Sequence, residues 1–184
     1  MNETEPVATA TIVYESMFGN TRKVAEAIAE GLRPAATVTV LTVKDAPESL
    51  GEADILIAGA PTHVHGLSRP STRAEAGKWA DDAARHLTLE PDAEGIGMRE
   101  WLESCGGLPP VFAAFDTRAD TAELFTGSAA SGIEKRLRKL GVRRLLPKES
   151  FVVDKQSVLV DGELERARAW GRAIAAELRT PALR

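Results

Sequence analysis

Residues Ser16-Met17-Phe18-Gly19-Asn20-Thr21 are of the right types and spacing to hold a phosphate without a lysine. Ser16, Asn20 and Thr21 bring side-chain donors, and Gly19 permits close backbone approach. The next segment is helical in pattern: Val24, Ile28 and Leu32 stand at four-residue steps with Ala25, Ala27 and Ala29 between them, and Gly31 and Pro34 can stop the run. The preceding stretch, Thr11-Ile12-Val13-Tyr14, reads as a strand. The first N–H groups of a helix have no intrahelical partner and lie at the positive end of its dipole, so an anion placed there is hydrogen-bonded by backbone alone. The competing explanation is that Ser16 or Asn20 caps a helix that binds nothing. No Gly-x-x-x-x-Gly-Lys-Ser/Thr occurs, and Gly95-Ile96-Gly97 lacks a third glycine because Glu100 stands there, so the two commoner phosphate motifs are absent.

The other reactive side chains offer little chemistry by themselves. Cys105 is the single cysteine, which rules out an intrachain disulfide and a cysteine-built cluster; its expected place is the interior. His63-Val64-His65 can be read as a metal pair, but with three histidines in all and no partner at a zinc spacing, no metal site is expected. Ser128 and Ser131 read as helix caps, and no nucleophile triad or carboxylate pair stands out. Any redox role therefore needs a borrowed cofactor. The net charge of -4 argues against nucleic acid, leaving Arg136, Arg138, Lys139, Arg143 and Arg144 as the solvated face and end of a helix. No apolar run approaches the roughly 20 residues that span a bilayer, and the start is polar and acidic, which leads to the expectation of a cytoplasmic protein without membrane contact.

The elements that must position these residues alternate along the chain. Apolar, β-branched runs at 9–14, 37–43, 55–60, 111–115 and 145–153 predict five strands. Helical patterns fall at 20–32, within 72–86, within 96–105, at 128–140 and at 162–178, the last with Leu164, Ala167, Gly171, Ile174 and Leu178 on one face. This order predicts an α/β three-layer sandwich around a five-stranded parallel sheet, a domain over 8–179 with tails at 1–7 and 180–184. Ligands in such sheets bind beyond the carboxyl ends of the strands where the winding reverses, so the turn after the first strand, the loop 59–73 and the loop 116–127 should converge. Trp79, Trp101 and Trp170 are expected to pack in the interior, with Trp101 nearest a pocket.

The chain resembles a flavodoxin on two motifs. Tyr14-Glu15-Ser16-Met17-Phe18-Gly19-Asn20-Thr21 is similar to the family's phosphate loop, usually Ser/Thr-x-Thr-Gly-x-Thr, and Ala58-Gly59-Ala60-Pro61-Thr62 to the Gly-Ser/Ala-Pro-Thr that opens its first flavin loop. Phe18 departs from the usual Thr, placing this chain among more distant flavodoxin-like proteins. The resemblance implies the sheet order 2-1-3-4-5 and bound flavin mononucleotide (FMN), its phosphate on Ser16, Met17, Phe18, Gly19, Asn20 and Thr21. It places Pro61, Thr62, His63, Val64 and Gly66 along one side of the flavin ring and Phe115, Asp116, Thr117 and Arg118 along the other, with Asp116 as a possible acceptor from the flavin or its ribitol. The usual aromatic sandwich is reduced to His63, His65 and Phe115.

The resemblance implies three functions. The first is an electron carrier that meets a redox partner protein, with Arg69, Arg73 and Arg118 suiting an acidic docking surface. Together with His63 and His65 these arginines form a basic rim, expected to make the second electron easier for the flavin to accept. The second is an NAD(P)H-dependent quinone or flavin reductase using the long connection 68–108 as a substrate pocket, and the third a flavin-free interaction module.

Overall fold

The computed structural model describes residues 7–120 and 127–179. The expected tails fall, apart from the exposed Val7, outside the described residues, as does the stretch 121–126 of the third expected loop. Strand β1 (Ala8–Tyr14) occupies the interior of the sheet, between β2 (Ala36–Thr42) and β3 (Ile55–Pro61). β3 pairs in turn with β4 (Val111–Ala119), and every pairing is parallel. Strands covered on both faces need apolar side chains on both, and Ile55, Leu56, Ile57 and Ala58 are all buried.

The sheet order 2-1-3-4-5 is as expected, but the fifth position is divided. β5 (Arg143–Arg144) pairs with Val111 and Phe112, and β6 (Glu149–Val153) with residues 115–119 of β4. Between them lies Pro147, which has no N–H to give a ladder, so the apolar run expected as one strand over 145–153 is interrupted. Its second half keeps pairing beyond Phe115, and β4 consequently runs four residues further than its sequence pattern, to Ala119.

The pleat sorts the core into two layers. Ile12, Ile55, Ile57, Phe115 and Phe151 face helices α1 (Asn20–Leu32) and α5 (Glu163–Leu178). Val13, Leu56, Ala58 and Phe112 face α3 (Met98–Ser104) and α4 (Ala129–Lys139). α2 (Pro70–Ala80), opened by proline at its first position, and the 3-10 turn Ala83–Arg85 occupy the long connection before α3. Gly31 does not stop α1: the helix continues through Leu32, and Gly31 lies against the Arg168 carbonyl of α5 while Gly171 of α5 lies against the Ile28 carbonyl of α1. A Cβ at either position would overlap that backbone, so the two glycines set how closely the helices approach.

Trp101 and Trp170 pack inside, the first donating from Nε1 to the Pro47 carbonyl at 3.2 Å and the second edge-on to Phe115 and Phe151. Trp79 departs from the expectation. It is 42% exposed, because α2 turns this residue toward a cleft rather than the sheet.

Candidate flavin site

A cavity of about 300 Å³ opens at the carboxyl ends of β1, β3 and β4, where the winding of the sheet reverses. Its floor at one end is the start of α1. Ser16 Oγ accepts from the Gly19 N–H at 3.1 Å, closing the turn, and Gly19 takes φ 87, a left-handed conformation that suits glycine. Gly19 is the N-cap residue of α1 and among the described residues no side chain caps the helix, so its first-turn N–H groups remain for an outside acceptor. Met17, Phe18, Asn20 and Thr21 line the cavity; Ser16 and Gly19 shape the turn behind them.

The other loops are tied to this one by hydrogen bonds. Thr21 Oγ1 and Thr117 Oγ1 lie 2.8 Å apart, joining α1 to the end of β4. The Asn20 amide donates to the Ser157 carbonyl at 2.6 Å, and the Thr62 N–H to the Thr117 carbonyl at 2.8 Å. Thr62 Oγ1 in turn accepts from the Ala129 N–H at 3.0 Å. The phosphate-type turn, the 61–64 segment and the β4 end are thus one assembly.

Pro61, Thr62, His63 and Val64 line the cavity, whereas Gly66 does not. Gly66 exchanges two 2.8 Å backbone bonds with His63, closing a tight turn whose central residues, Val64 and His65, have φ 33 and 70. Such turns favour Asn and Gly, and a β-branched residue there is strained. Thr117 and Arg118 line the cavity from the far side. Phe115 and Asp116 do not. Phe115 is fully buried with its ring filling the space over Gly59, and the pleat aims Asp116 at the opposite layer. There Asp116 Oδ2 accepts from Ser128 Oγ at 2.6 Å and the Ala130 N–H at 3.0 Å, anchoring the start of α4 in place of contacting the cavity.

Several lining residues escape the sequence reading. Thr72, Glu75, Ala76 and Trp79 recur at steps of three and four, so one face of α2 forms a wall, and Val153 and Ser157 complete it from the β6 side. Trp79 adds an indole to the aromatic surface that Phe18 brings from the phosphate-type turn. Leu89 and Ala93 pack on Met17, Phe18 and Ala76, and the Glu90 N–H donates to the Met17 carbonyl at 2.8 Å, so the connection after α2 backs the phosphate-type turn.

The expected basic rim is reduced. Arg73 is 2% exposed and points inward, Nη1 donating to Ser68 Oγ at 2.9 Å and pairing with Glu100 at 3.2 Å. This pair lies next to Glu15, whose buried carboxylate accepts the Met98 N–H at 2.8 Å and is pushed up by its burial. Glu75 adds a carboxylate to the cavity wall. Burial, then the Arg73 charge, push His63 down to about 4 against a hydrogen bond with the Thr72 backbone, so the ring is neutral at pH 7.

Protonating His63 opposes the fold. The unfolded imidazole binds its proton near pH 6.5 and the folded one near 4, so this contribution to stability is intact above about 6.5 and is lost as pH falls toward 4. Relative to wild type, His63→Asn should flatten urea midpoints between those values, removing a slope worth on the order of 2 kcal/mol. Parallel pH curves for the two proteins would contradict this.

A flavodoxin family model matches residues 12–170. A flavodoxin from the domain Archaea superposes with a TM-score of 0.61 at 21% identity, over 94% of this chain and 99% of its own. A WrbA-like flavodoxin protein from Agrobacterium tumefaciens gives 0.53 at 21% identity, over 94% and 98%. The flavodiiron core from Synechocystis sp. PCC6803 gives 0.63 at 16% identity; 94% of this chain matches 36% of that one. These likenesses show the fold. Among curated protein sequences none matches. The family match extends over most of the chain and the sheet has the order expected of it: the protein belongs to the flavodoxin family.

Proposed function

We propose that the protein binds FMN and carries electrons to or from a redox partner protein. The observation that carries this reading is the uncapped start of α1 at one end of a cavity whose remaining walls are largely apolar and include an indole. The residues fit the cofactor. Backbone N–H groups of the first turn of α1, with the Thr21 hydroxyl, suit the phosphate, and Pro61, Val64, Ala76 and Trp79 offer the flat apolar surface a flavin ring needs. Bound FMN supplies the one- and two-electron chemistry, and the chain orients it, excludes water from its faces and presents an edge. Arg118 and Glu75 at the walls place opposite charges beside it, and neutral His63 adds none.

Addition of FMN to the purified protein should bring flavin absorbance with shifted, structured bands and should quench tryptophan fluorescence. Among the described residues Trp79 is the tryptophan that lines the cavity, so Trp79→Phe is expected to lose part of that quenching while still binding the flavin. Unshifted flavin bands and unquenched emission would overturn the reading. The α2 wall favours one alternative, a reductase using NAD(P)H to reduce the flavin and then a quinone or second flavin. Direct reduction of the holoprotein by NADPH or NADH, without an added reductase, distinguishes it from the carrier. The partner of the carrier is expected to be acidic, Arg69 being exposed where Arg73 is buried.

A further inference from the structure

The turn from His63 to Gly66 divides two concavities. His63 and Val64 line the flavin-type cavity, and His65 and Gly66 line an open groove of about 650 Å³ on the other side. Leu67, Arg99, Lys135 and Arg136 complete that groove, and exposed Arg69 stands nearby at the start of α2. Arg99 is pinned by neutral acceptors, Nε to the Ser68 carbonyl at 3.1 Å and Nη2 to the Leu67 carbonyl at 2.9 Å, and Arg136 by the Gly132 carbonyl at 3.2 Å. Their charges are therefore held in place without being cancelled. Among the described residues none of Arg69, Arg99, Lys135 and Arg136 pairs with a carboxylate; the nearby Glu100 is engaged by Arg73 and Glu134 by Arg144. Burial first, then the Arg136 and Arg69 charges, hold Arg99 below its ordinary value, against Glu100 and Glu103.

This face contradicts the chain as a whole, whose net charge is -4. Beside it, at the mouth of the cavity, Val64 is 80% exposed on a strained turn. An apolar residue next to charged ones that are fixed but unpaired resembles the make-up of a protein–protein contact, an apolar centre with a polar rim. The start of α4 adds no anion seat, because the Ala130 and Ser131 N–H groups are already taken by Asp116 and Ser128. What a partner meets is arginine and lysine side chains.

We propose that Arg69, Arg99, Lys135 and Arg136 beside Val64 form the docking face for the redox partner, and that this partner presents clustered carboxylates. The inference rests on the electron-carrier reading and names the surface for it. The face is a compact group beside an apolar residue rather than the long basic stripe that nucleic acid selects.

Two measurements test it. In the first, the protein without added flavin is titrated with decameric polyglutamate and, separately, with a short DNA duplex, and backbone amide shifts are followed. Shifts confined to residues 64–69, 99 and α4 with polyglutamate, weakened at least about fivefold in Lys135→Glu/Arg136→Glu, support the face. Tighter binding of the duplex, or shifts elsewhere or absent, overturn it. In the second, flavin-loaded and reduced protein is reoxidised by ferricyanide or by hexaamminecobalt(III), each accepting one electron per ion. The ferricyanide rate should fall about tenfold on raising salt and should fall at low salt in the double variant, while the cobalt rate does not fall with salt. A ferricyanide rate that rises with salt, following the net charge, overturns the inference. Should the protein take up no flavin, the electron-carrier reading fails on its own and the peptide titration still decides the face.

Discussion

Gly19→Ala is expected to lower FMN affinity by about fivefold to thirtyfold while changing riboflavin affinity by less than about threefold, taking about 1–2 kcal/mol as the strain of a left-handed non-glycine residue. Gly19 adopts φ 87 at the N-cap of α1, and a Cβ there would lie 3.1 Å from Glu90 Oε1, tighter than an ordinary contact. The substituted turn can relieve this by rotating its peptides or by displacing the Glu90 side chain, which is held by Arg22 at 3.2 Å. Either movement alters the direction of the N–H groups at the helix start. Riboflavin lacks the phosphate, so it reads the ring pocket alone. Isothermal titration of both ligands against both proteins gives the ratio, and an equal loss for the two would mean that the phosphate is not seated at this turn.

The second large effect lies far from the cavity. Gly171→Ala should cost on the order of 3 kcal/mol and lower Tm by about 6–12 °C, since the added methyl meets the Ile28 backbone and cannot be accommodated by rotating a side chain. Gly31→Ala should cost a similar amount against the Arg168 carbonyl. The double variant should cost less than the sum, because once the helices have separated for one methyl the other finds room. Gly106→Ala is the control: nothing lies within 4 Å of its Cβ position, so a change below about 0.5 kcal/mol is expected. Additive losses from the two glycines would show that they act separately.

Most of the architecture was legible because parallel strands covered on both faces leave continuous apolar runs, and amphipathic helices leave a 3.6-residue repeat. The phosphate-type turn was legible for a local reason, its strand, turn and helix being contiguous. Errors arose where a side chain's direction depends on distant partners. Phe115 and Asp116 stand next to Thr117 and Arg118 in sequence, yet alternation along β4 sends Phe115 into the α1 and α5 layer and Asp116 toward Ser128. The end of β4 itself depends on pairing with β6, which no local pattern reveals. Arg73 looked like a surface cation, and only the fold brings Ser68 and Glu100 to it. Trp79 escaped because the α2 face that carries it is mixed, Thr72 and Glu75 alternating with Ala76, so no apolar repeat marked it. Trp101, beside Met98 and Leu102, had the periodicity of a core residue and is one.

The backbone contact between α1 and α5 also bears on the order in which the protein folds. The helix that residues 16–21 open rests on Gly171, which is distant from it in sequence. Ile28 and Trp170 share one core layer with strands from the whole length between. Contacts of such sequence separation close late, after the intervening loop entropy has been overcome. A chain in which α5 has not yet docked therefore displays the phosphate-type turn on a helix with one side bare, and the turn is steadied only when α5 closes on that helix.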